Sequence, residues 1–359
     1  MFKSFIAKKN PFISVDMKKL KDKLNGPIPS WVESQISEDL SLFEGADLDE
    51  KNVDLTFKGI LRSESGNSSC LHKFIIRDNS LVLPKPIEVI KIPRIFKMVM
   101  FLRGILKLLP FPDIEFLFSA ADLHENKCFH ECQSVPVFVI SRVIGDKYSC
   151  LFPHVEWINY WSLIRRRINS KNNHVPWSNR KSTLFWRGST TGMGYPGAVN
   201  TRCPVVQLSA HSPLDIDASF SCLVDIDEDL KKKIYNMGWV KADIPAEKQV
   251  GYKYLLAIDG HCFPGSFFWQ LSSGSVVFKQ DSLFLEWYYG GLKPYIHYIP
   301  FTSDASDLIK KKKWAQENDS AVKEIAKNSM DFARDFLSNE DIIIYVYQLL
   351  WKYKSCFRK

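Results

Sequence analysis

Residues 251–279 read Gly-Tyr-Lys-Tyr-Leu-Leu-Ala-Ile-Asp-Gly-His-Cys-Phe-Pro-Gly-Ser-Phe-Phe-Trp-Gln-Leu-Ser-Ser-Gly-Ser-Val-Val-Phe-Lys. The pattern predicts a strand over 254–258, a loop rich in Gly, Pro and Ser, a helix over 266–273 and a second strand over 275–279. That is one βαβ unit, and it sets the fold class as α/β. A helix starting at such a loop aims its free N–H groups and positive dipole end over the strand ends, which suits a diphosphate. A carboxylate beyond the second strand, Glu286, is placed to accept hydrogen bonds from ribose hydroxyls. A Rossmann-like unit with no ligand site is the alternative reading of the same pattern.

A second segment upstream fits the same purpose. Residues 183–192, Thr-Leu-Phe-Trp-Arg-Gly-Ser-Thr-Thr-Gly, run an apolar strand into a small polar turn with one arginine. The N–H groups of Gly188, Ser189 and Thr190 can turn inward there, and the Arg187 guanidinium can grip phosphate oxygens in a bidentate fashion. An ordinary loop with a surface arginine would look alike.

With 359 residues, 45% hydrophobic content and 13% aromatics, the chain suits two domains and excludes global disorder. Its formal charge of +8 favours anionic partners: nucleotide diphosphates, anionic lipid surfaces or nucleic acid. Lys231–Lys233 and Lys310–Lys313 read as solvated helix faces, and no nucleic-acid motif is present, so no nucleic-acid partner is expected. The eight cysteines lack paired spacing. Cys128 and Cys132 with His124 and His130 form one loose group, short of a structural zinc pattern, and reduced thiols are the simpler account. No signal-peptide or membrane-spanning run is seen, so a cytoplasmic location is expected.

Toward the N-terminus, Leu55-Thr56-Phe57 and Lys73-Phe74-Ile75-Ile76 bracket a Ser/Gly/Asn-rich turn at Ser63–Ser69 and predict a β-hairpin or meander. Ile95, Met98, Val99, Leu102, Ile105, Leu106 and Leu109 recur at helical spacing. Pro110-Phe111-Pro112 stops that helix, and residues 113–119 read as a strand. Asp122 sits just past its end, where an open α/β sheet presents ligand-contacting residues. Ser338 followed by Asp341 caps a final helix through Ile342, Tyr345, Leu349 and Tyr353. The segment 169–174 is a candidate interdomain connection. The expected domains are 1–172, completed by the helix at 338–359, and 173–337.

The segments Phe-Trp-Arg-Gly-Ser-Thr-Thr-Gly (185–192), Lys-Tyr-Leu-Leu-Ala-Ile-Asp-Gly (253–260), Phe-Trp-Gln-Leu-Ser-Ser-Gly-Ser-Val-Val (268–277) and Glu-Trp-Tyr-Tyr-Gly-Gly-Leu-Lys-Pro-Tyr-Ile-His-Tyr-Ile-Pro (286–300) resemble glycosyltransferase family 90. That family includes capsule-associated and lipopolysaccharide-modifying enzymes and protein O-glucosyltransferases. The resemblance runs from about residue 55 to 335. It implies a GT-B architecture: two Rossmann-like domains facing across a cleft, with the nucleotide sugar on the C-terminal one. It also implies an inverting, metal-independent transfer from a UDP-sugar. The family's base follows an Asp-[Ile/Val]-Glu-Phe motif; Asp113-Ile114-Glu115-Phe116 matches, and the position carried over is Asp122. The same residue lies just past the end of the strand read at 113–119. One departure is the absence of the arginine that the protein O-glucosyltransferase branch places in the helix near Gly265. Here Ser266 and Phe267 stand instead, and the wording of 268–275 is closer to the bacterial lipopolysaccharide branch.

In this reading Asp122 removes the acceptor proton, while Arg187 with the Gly188–Thr190 amides stabilises the departing diphosphate. Lys253, Asp259, Ser266, Glu286 and Lys293 are further donor-contact candidates; Asp259 equally suits a loop cap. No cofactor and no metal are expected, because Asp215-Ile216-Asp217 and Asp225-Ile226-Asp227 match the metal-binding Asp-X-Asp form only as short, acid-rich coincidences. His297 is expected to be packed and hydrogen-bonded. The expected acceptor is a glycan or glycolipid of lipopolysaccharide core or capsule. A lipid-linked one would bring the chain to the inner membrane face through the basic helix at 91–109 and the tail at 352–359. The alternative function is a non-catalytic nucleotide- or glycan-binding pseudoenzyme.

Overall fold

The computed structural model describes residues 13–63, 70–82, 93–122, 133–170, 175–192 and 202–358. Packing divides the chain into two units. The first holds Met1–Tyr160, Leu285–Gly291 and Ser338–Lys359, the second Trp161–Phe284 and Leu292–Leu337.

The first unit opens with α1 (Met17–Asn25), α2 (Ser30–Leu40) and α3 (Glu50–Ser63). The last corrects the strand expected at Leu55-Thr56-Phe57. Val53, Thr56 and Ile60 are fully buried at helical spacing, so a period of 3.6 governs this stretch rather than a period of 2. The hairpin is formed by β1 (Leu71–Arg77) and β2 (Ser80–Val82), which pair antiparallel. Its two-residue turn is Asp78-Asn79, with φ of 48° and 53°, the left-handed pair that matches strand twist. Most of the Ser63–Ser69 turn lies outside the described residues.

Asn79 then does a second job. Its Nδ2 donates to the Leu106 carbonyl (2.6 Å) and its Oδ1 accepts from the Phe111 N–H (2.8 Å). This fixes the passage from α4 (Pro93–Ile105) into β3 (Ile114–Ser119). The apolar stripe of α4, Ile95, Met98, Val99, Leu102 and Ile105, is buried in the unit's own core. The chain continues through β4 (Val137–Val139), β5 (Arg142–Val143) and β6 (Ser149–Leu151) into α5 (Ile158–Ile168), within which it passes to the second unit.

The first sheet has the order β2-β1-β3-β4-β6. It is mixed: β1 runs antiparallel to β2 and β3, while β3, β4 and β6 are parallel. The expected Rossmann-like pattern is therefore confined here to three strands. The last helix, α12 (Asn339–Lys354), starts in a full capping box between Ser338 and Asp341. Ile342, Tyr345, Leu349 and Tyr353 are buried as their spacing predicts, and Tyr345 donates to the Leu151 carbonyl at 3.2 Å.

The second unit contains β7 (Lys181–Ser189), α6 (Arg202–His211), β8 (Ile216–Cys222), α7 (Glu228–Asn236), α8 (Ala246–Gln249), β9 (Tyr252–Ala257), α9 (Phe267–Gln270) and β10 (Val276–Gln280). After β11 (Phe284–Leu285) at the unit boundary come β12 (Ile299–Phe301), α10 (Leu308–Glu317) and α11 (Asp319–Phe336). The sheet order is β12-β10-β9-β7-β8, all parallel. In order of appearance the strands lie 2-1-3-4-5, a doubly wound arrangement whose direction of winding reverses between β7 and β9. Leu184, Trp186, Ile216, Tyr254, Leu256 and Phe278 form its core with Val205, Val206, Val322 and Ile325.

The βαβ unit read from 251–279 is present, but its helix is a single turn. Phe267, Phe268, Trp269 and Gln270 are all buried, the Ser273 hydroxyl donates to the Gln270 carbonyl at 2.6 Å, and Gly274 turns away at φ 68°. The run Lys310–Lys313 is also not a uniformly solvated face. Lys312 is buried and pairs with Asp215 at 2.5 Å.

Candidate functional site

The reversal point between β7 and β9 is where an open α/β sheet binds ligands, outside the carboxyl ends of the strands. Three segments meet there: Ser189–Gly192 after β7, Ile258–Gly260 after β9, and Arg202 at the start of α6. The Arg202 guanidinium donates to the carbonyls of Asp259 (2.7 Å), Ser189 (2.8 Å) and Ile258 (3.3 Å). It also reaches the hydroxyls of Ser189 and Thr191, and it lies 5.5 Å over the Trp186 ring. Among the described residues no carboxylate hydrogen-bonds to it. Burial lowers its pKa to about 10, with Asp259 pulling the other way, so it stays charged at neutral pH.

Glycine permits this closeness. A Cβ at Gly192, whose φ is 85°, would lie 2.5 Å from the Gly260 carbonyl oxygen. One at Gly260 would lie 2.8 Å from an Arg202 nitrogen. The result is a fixed cation among backbone carbonyls and small side chains.

Asp259 stands at the same place. It is 6% exposed, its N–H donates to Gln280 Oε1 at 3.0 Å, and among the described residues its Oδ1 has no hydrogen-bond partner. Burial raises its pKa to about 6 against the pull of Lys279, Ser282 and Arg202. Ser189 joins Thr191, hydroxyl to hydroxyl at 2.9 Å.

The other expected donor contacts are not gathered here. Arg187 points to the sheet face shared with Phe185 and Asp217. Its guanidinium donates to the Asp217 carboxylate (2.8 Å) and carbonyl (2.9 Å), and its side chain is 4% exposed. A grip on a diphosphate by Arg187 would first require that pair to open. Gly188 admits the Trp186 indole, which a Cβ would meet at 2.4 Å. Thr190 is a buried staple: its Oγ1 donates to the Val224 carbonyl (2.6 Å) and accepts from the Val224 N–H (2.8 Å). Lys253 lies near the opposite end of β9, paired with Asp319 at 3.1 Å. Ser266 precedes α9, and a one-turn helix supplies no dipole of the kind expected. Glu286 belongs to the first unit, 1% exposed and within the interactions of Tyr288, whose hydroxyl burial and Glu286 raise well above its usual pKa. Lys293 occupies an exposed turn, where its N–H donates to Nδ1 of His297 at 2.9 Å. His297 is packed against Phe332, as expected.

The Asp-X-Asp carboxylates have other partners. Asp215 pairs with Lys312, Asp217 with Arg187 and Lys241, and Asp225 with His261, while Asp227 caps α7. Among the described residues no three His, Cys, Asp or Glu side chains cluster as a metal site. The loose group at Cys128 and Cys132, with His124 and His130, lies outside the described residues, as do 171–174 of the expected connection.

In the first unit, Asp122 does fall just beyond β3. It is partly exposed and accepts from Arg94 Nη2 at 2.8 Å. The same nitrogen lies 3.1 Å from Glu156 Oε1, which also meets His154 Nε2 (2.6 Å) and the Trp157 indole N–H (3.1 Å). Burial would raise the Glu156 pKa, but His154 and Arg94 overcome it and hold the group at about 2. Burial lowers that of His154.

Arg94, Glu156, Arg202 and the Gly192–Gly260 contact escaped sequence reasoning. One signal was available. Arg94 and Arg202 both sit in the first turn of a helix, where a cation opposes the dipole and needs strong local compensation.

The family model for glycosyl transferase family 90 matches residues 31–359. Protein O-glucosyltransferase 2 of Danio rerio is 28% identical over 332 residues, which are 89% of this chain and 61% of that protein. Protein O-glucosyltransferase 1 of Homo sapiens is 27% identical over 264 residues, 68% of this chain and 63% of that protein. The chain thus spans about three-fifths of the length of these relatives. Among solved structures, Anabaena HepE in complex with UDP-glucose aligns at 12% identity and a TM-score of 0.36, covering 55% of this chain and 53% of that one. A likeness that low bears on neither fold nor ligand. A family match running from Trp31 to the last residue has a firmer meaning: the chain belongs to glycosyl transferase family 90.

Proposed function

We propose that this chain moves a sugar from a UDP-sugar to a hydroxyl group, with inversion and without a metal. The donor diphosphate lies at the β7/β9 reversal point, and Asp122 takes the acceptor proton. The observation that carries the reading is Arg202, a charged guanidinium held by carbonyls and hydroxyls where the sheet reverses. Charge grows on the departing phosphate as the sugar–oxygen bond breaks, so a donor group fixed in advance acts mainly in the transition state. Ser189, Thr191 and Asp259 are the side chains beside it. Arg94 orients the Asp122 carboxylate through its 2.8 Å hydrogen bond, and general-base help of this kind gives about 10²–10⁴ in rate. A GT-B arrangement of the two units is part of this proposal.

The acceptor we favour is a surface glycan, of lipopolysaccharide core or capsule. A lipid-linked one would bring the chain to the inner membrane face through the exposed cations Lys97, Arg103 and Lys107, because the apolar side of α4 is already buried. No described helix is long and apolar enough to cross a membrane. A protein hydroxyl is the second reading, favoured by the names of the relatives.

The test uses water as acceptor. With UDP-glucose and chelator, proton NMR should show β-glucose released first, slowed at least a hundredfold in Asp122→Asn. α-Glucose, or a requirement for divalent metal, contradicts the mechanism. Tight UDP binding with no turnover in any acceptor screen favours the non-catalytic alternative.

A further inference from the structure

Two neighbouring aromatic side chains stand out of the surface after β6, and the first is linked to Asp122 through Glu156 and Arg94. Trp157 is 42% exposed and Tyr160 is 50% exposed, with ring centroids 5.2 Å apart and planes at 64°. Most large aromatics of this unit are buried, among them Phe74, Phe116, Phe118, Phe138 and Phe152. Trp157 is also not loose. The Trp157 indole N–H is tied to Glu156 Oε1, and one Arg94 nitrogen lies within bonding range of both that oxygen and Asp122 Oδ1. His154 stands edge-on to the Trp157 ring at 6.0 Å and bonds to the same glutamate. The Trp157 ring is thus indexed to the candidate base through one carboxylate and one guanidinium.

We propose that Trp157 is the platform on which a sugar ring of the acceptor lies, with the inclined Tyr160 ring walling its side, and that the Glu156–Arg94 bridge orients it toward Asp122. This rests on the transferase reading above and narrows its acceptor to a glycan. The chemistry fits a pyranose. One face of the ring is a sheet of polarised C–H bonds that meets the negative face of an aromatic ring, while the hydroxyls project around the rim. The Glu156 carboxylate lies at the edge of the indole, where such hydroxyls would be, while His154 is buried and holds that glutamate. The indole N–H is spent inside the protein, so Trp157 offers its face and not a hydrogen bond. A peptide serine would gain little from that face.

The experiment is saturation-transfer NMR on the full chain, with methyl β-D-glucopyranoside as probe and a Ser-containing peptide as comparison. Transfer concentrated on the C–H protons of one sugar face, lost about tenfold in affinity in Trp157→Ala and largely kept in Trp157→Phe, supports the platform. The Phe variant separates loss of the ring from failure to fold. No glycoside signal, an unchanged Trp157→Ala, or signal from the peptide alone overturns it. UDP titration of the unaltered protein is run beside it. Failure to bind UDP would sink the transferase reading whatever the glycoside does, so the two failures are told apart.

Discussion

Replacing Arg202 by methionine removes the group that ties the ends of β7 and β9 together. Three carbonyls, of Ser189, Ile258 and Asp259, lose a charged donor. Hydrogen bonds to charged groups contribute about 1.5–3 kcal/mol each, but methionine also relieves the desolvation that lowers the arginine's pKa. The net loss should be about 2–4 kcal/mol. For a unit of this size that lowers the melting temperature by about 5–12 °C. Calorimetric melting of Arg202→Met and Arg202→Lys measures it, with amide hydrogen exchange to localise the effect. Lysine keeps a charge, but its three donors sit on one nitrogen and cannot reproduce bonds made from Nε, Nη1 and Nη2, so it should recover less than half the loss. Exchange should quicken in 189–192 and 258–260 before the core of β10. A methionine variant that melts with the parent and exchanges no faster there would refute the clamp.

Other outcomes follow from single contacts. Gly192→Ala, at φ 85° with its new Cβ 2.5 Å from a backbone oxygen, should cost about 2–4 kcal/mol in denaturant melts and weaken UDP binding. Ser338→Ala removes half of the capping box and should cost about 1 kcal/mol, read as a few degrees in the first unit's melt. Glu156 has a folded pKa of about 2, below its ordinary 4.5, so it stabilises the fold above pH 4.5 and that contribution is lost as pH falls toward 2. Glu156→Gln should flatten the acid limb of stability against pH between those values, by at most about 3 kcal/mol.

Strands β7, β9 and β10 of the second unit were legible because they are short apolar runs bounded by Gly, Pro and Ser, and their length and flanks mark them as strands; β8 and β12 were not read, because their runs are short and mixed with polar residues. The final helix was legible because Ser338 and Asp341 form a cap that few other structures need. Leu55-Thr56-Phe57 misled for a physical reason. Three residues fit either period, and burial of Val53 and Ile60 decided for the helix. Asp122 could be placed from the strand before it. Arg202 could not, because its partners are backbone carbonyls brought together only by the doubly wound topology. Arg187 drew attention as an arginine in a turn, yet the alternation of β7 aims it at Asp217.

The most direct measurement is calorimetric titration with UDP, GDP, CMP and ADP in the presence of chelator. Selective UDP binding is expected, surviving chelation and falling at least tenfold in Arg202→Met, with Arg187→Ala affecting it less. Absence of UDP binding, dependence on a divalent metal, or full affinity in Arg202→Met would contradict the placement of the donor at the β7/β9 reversal point.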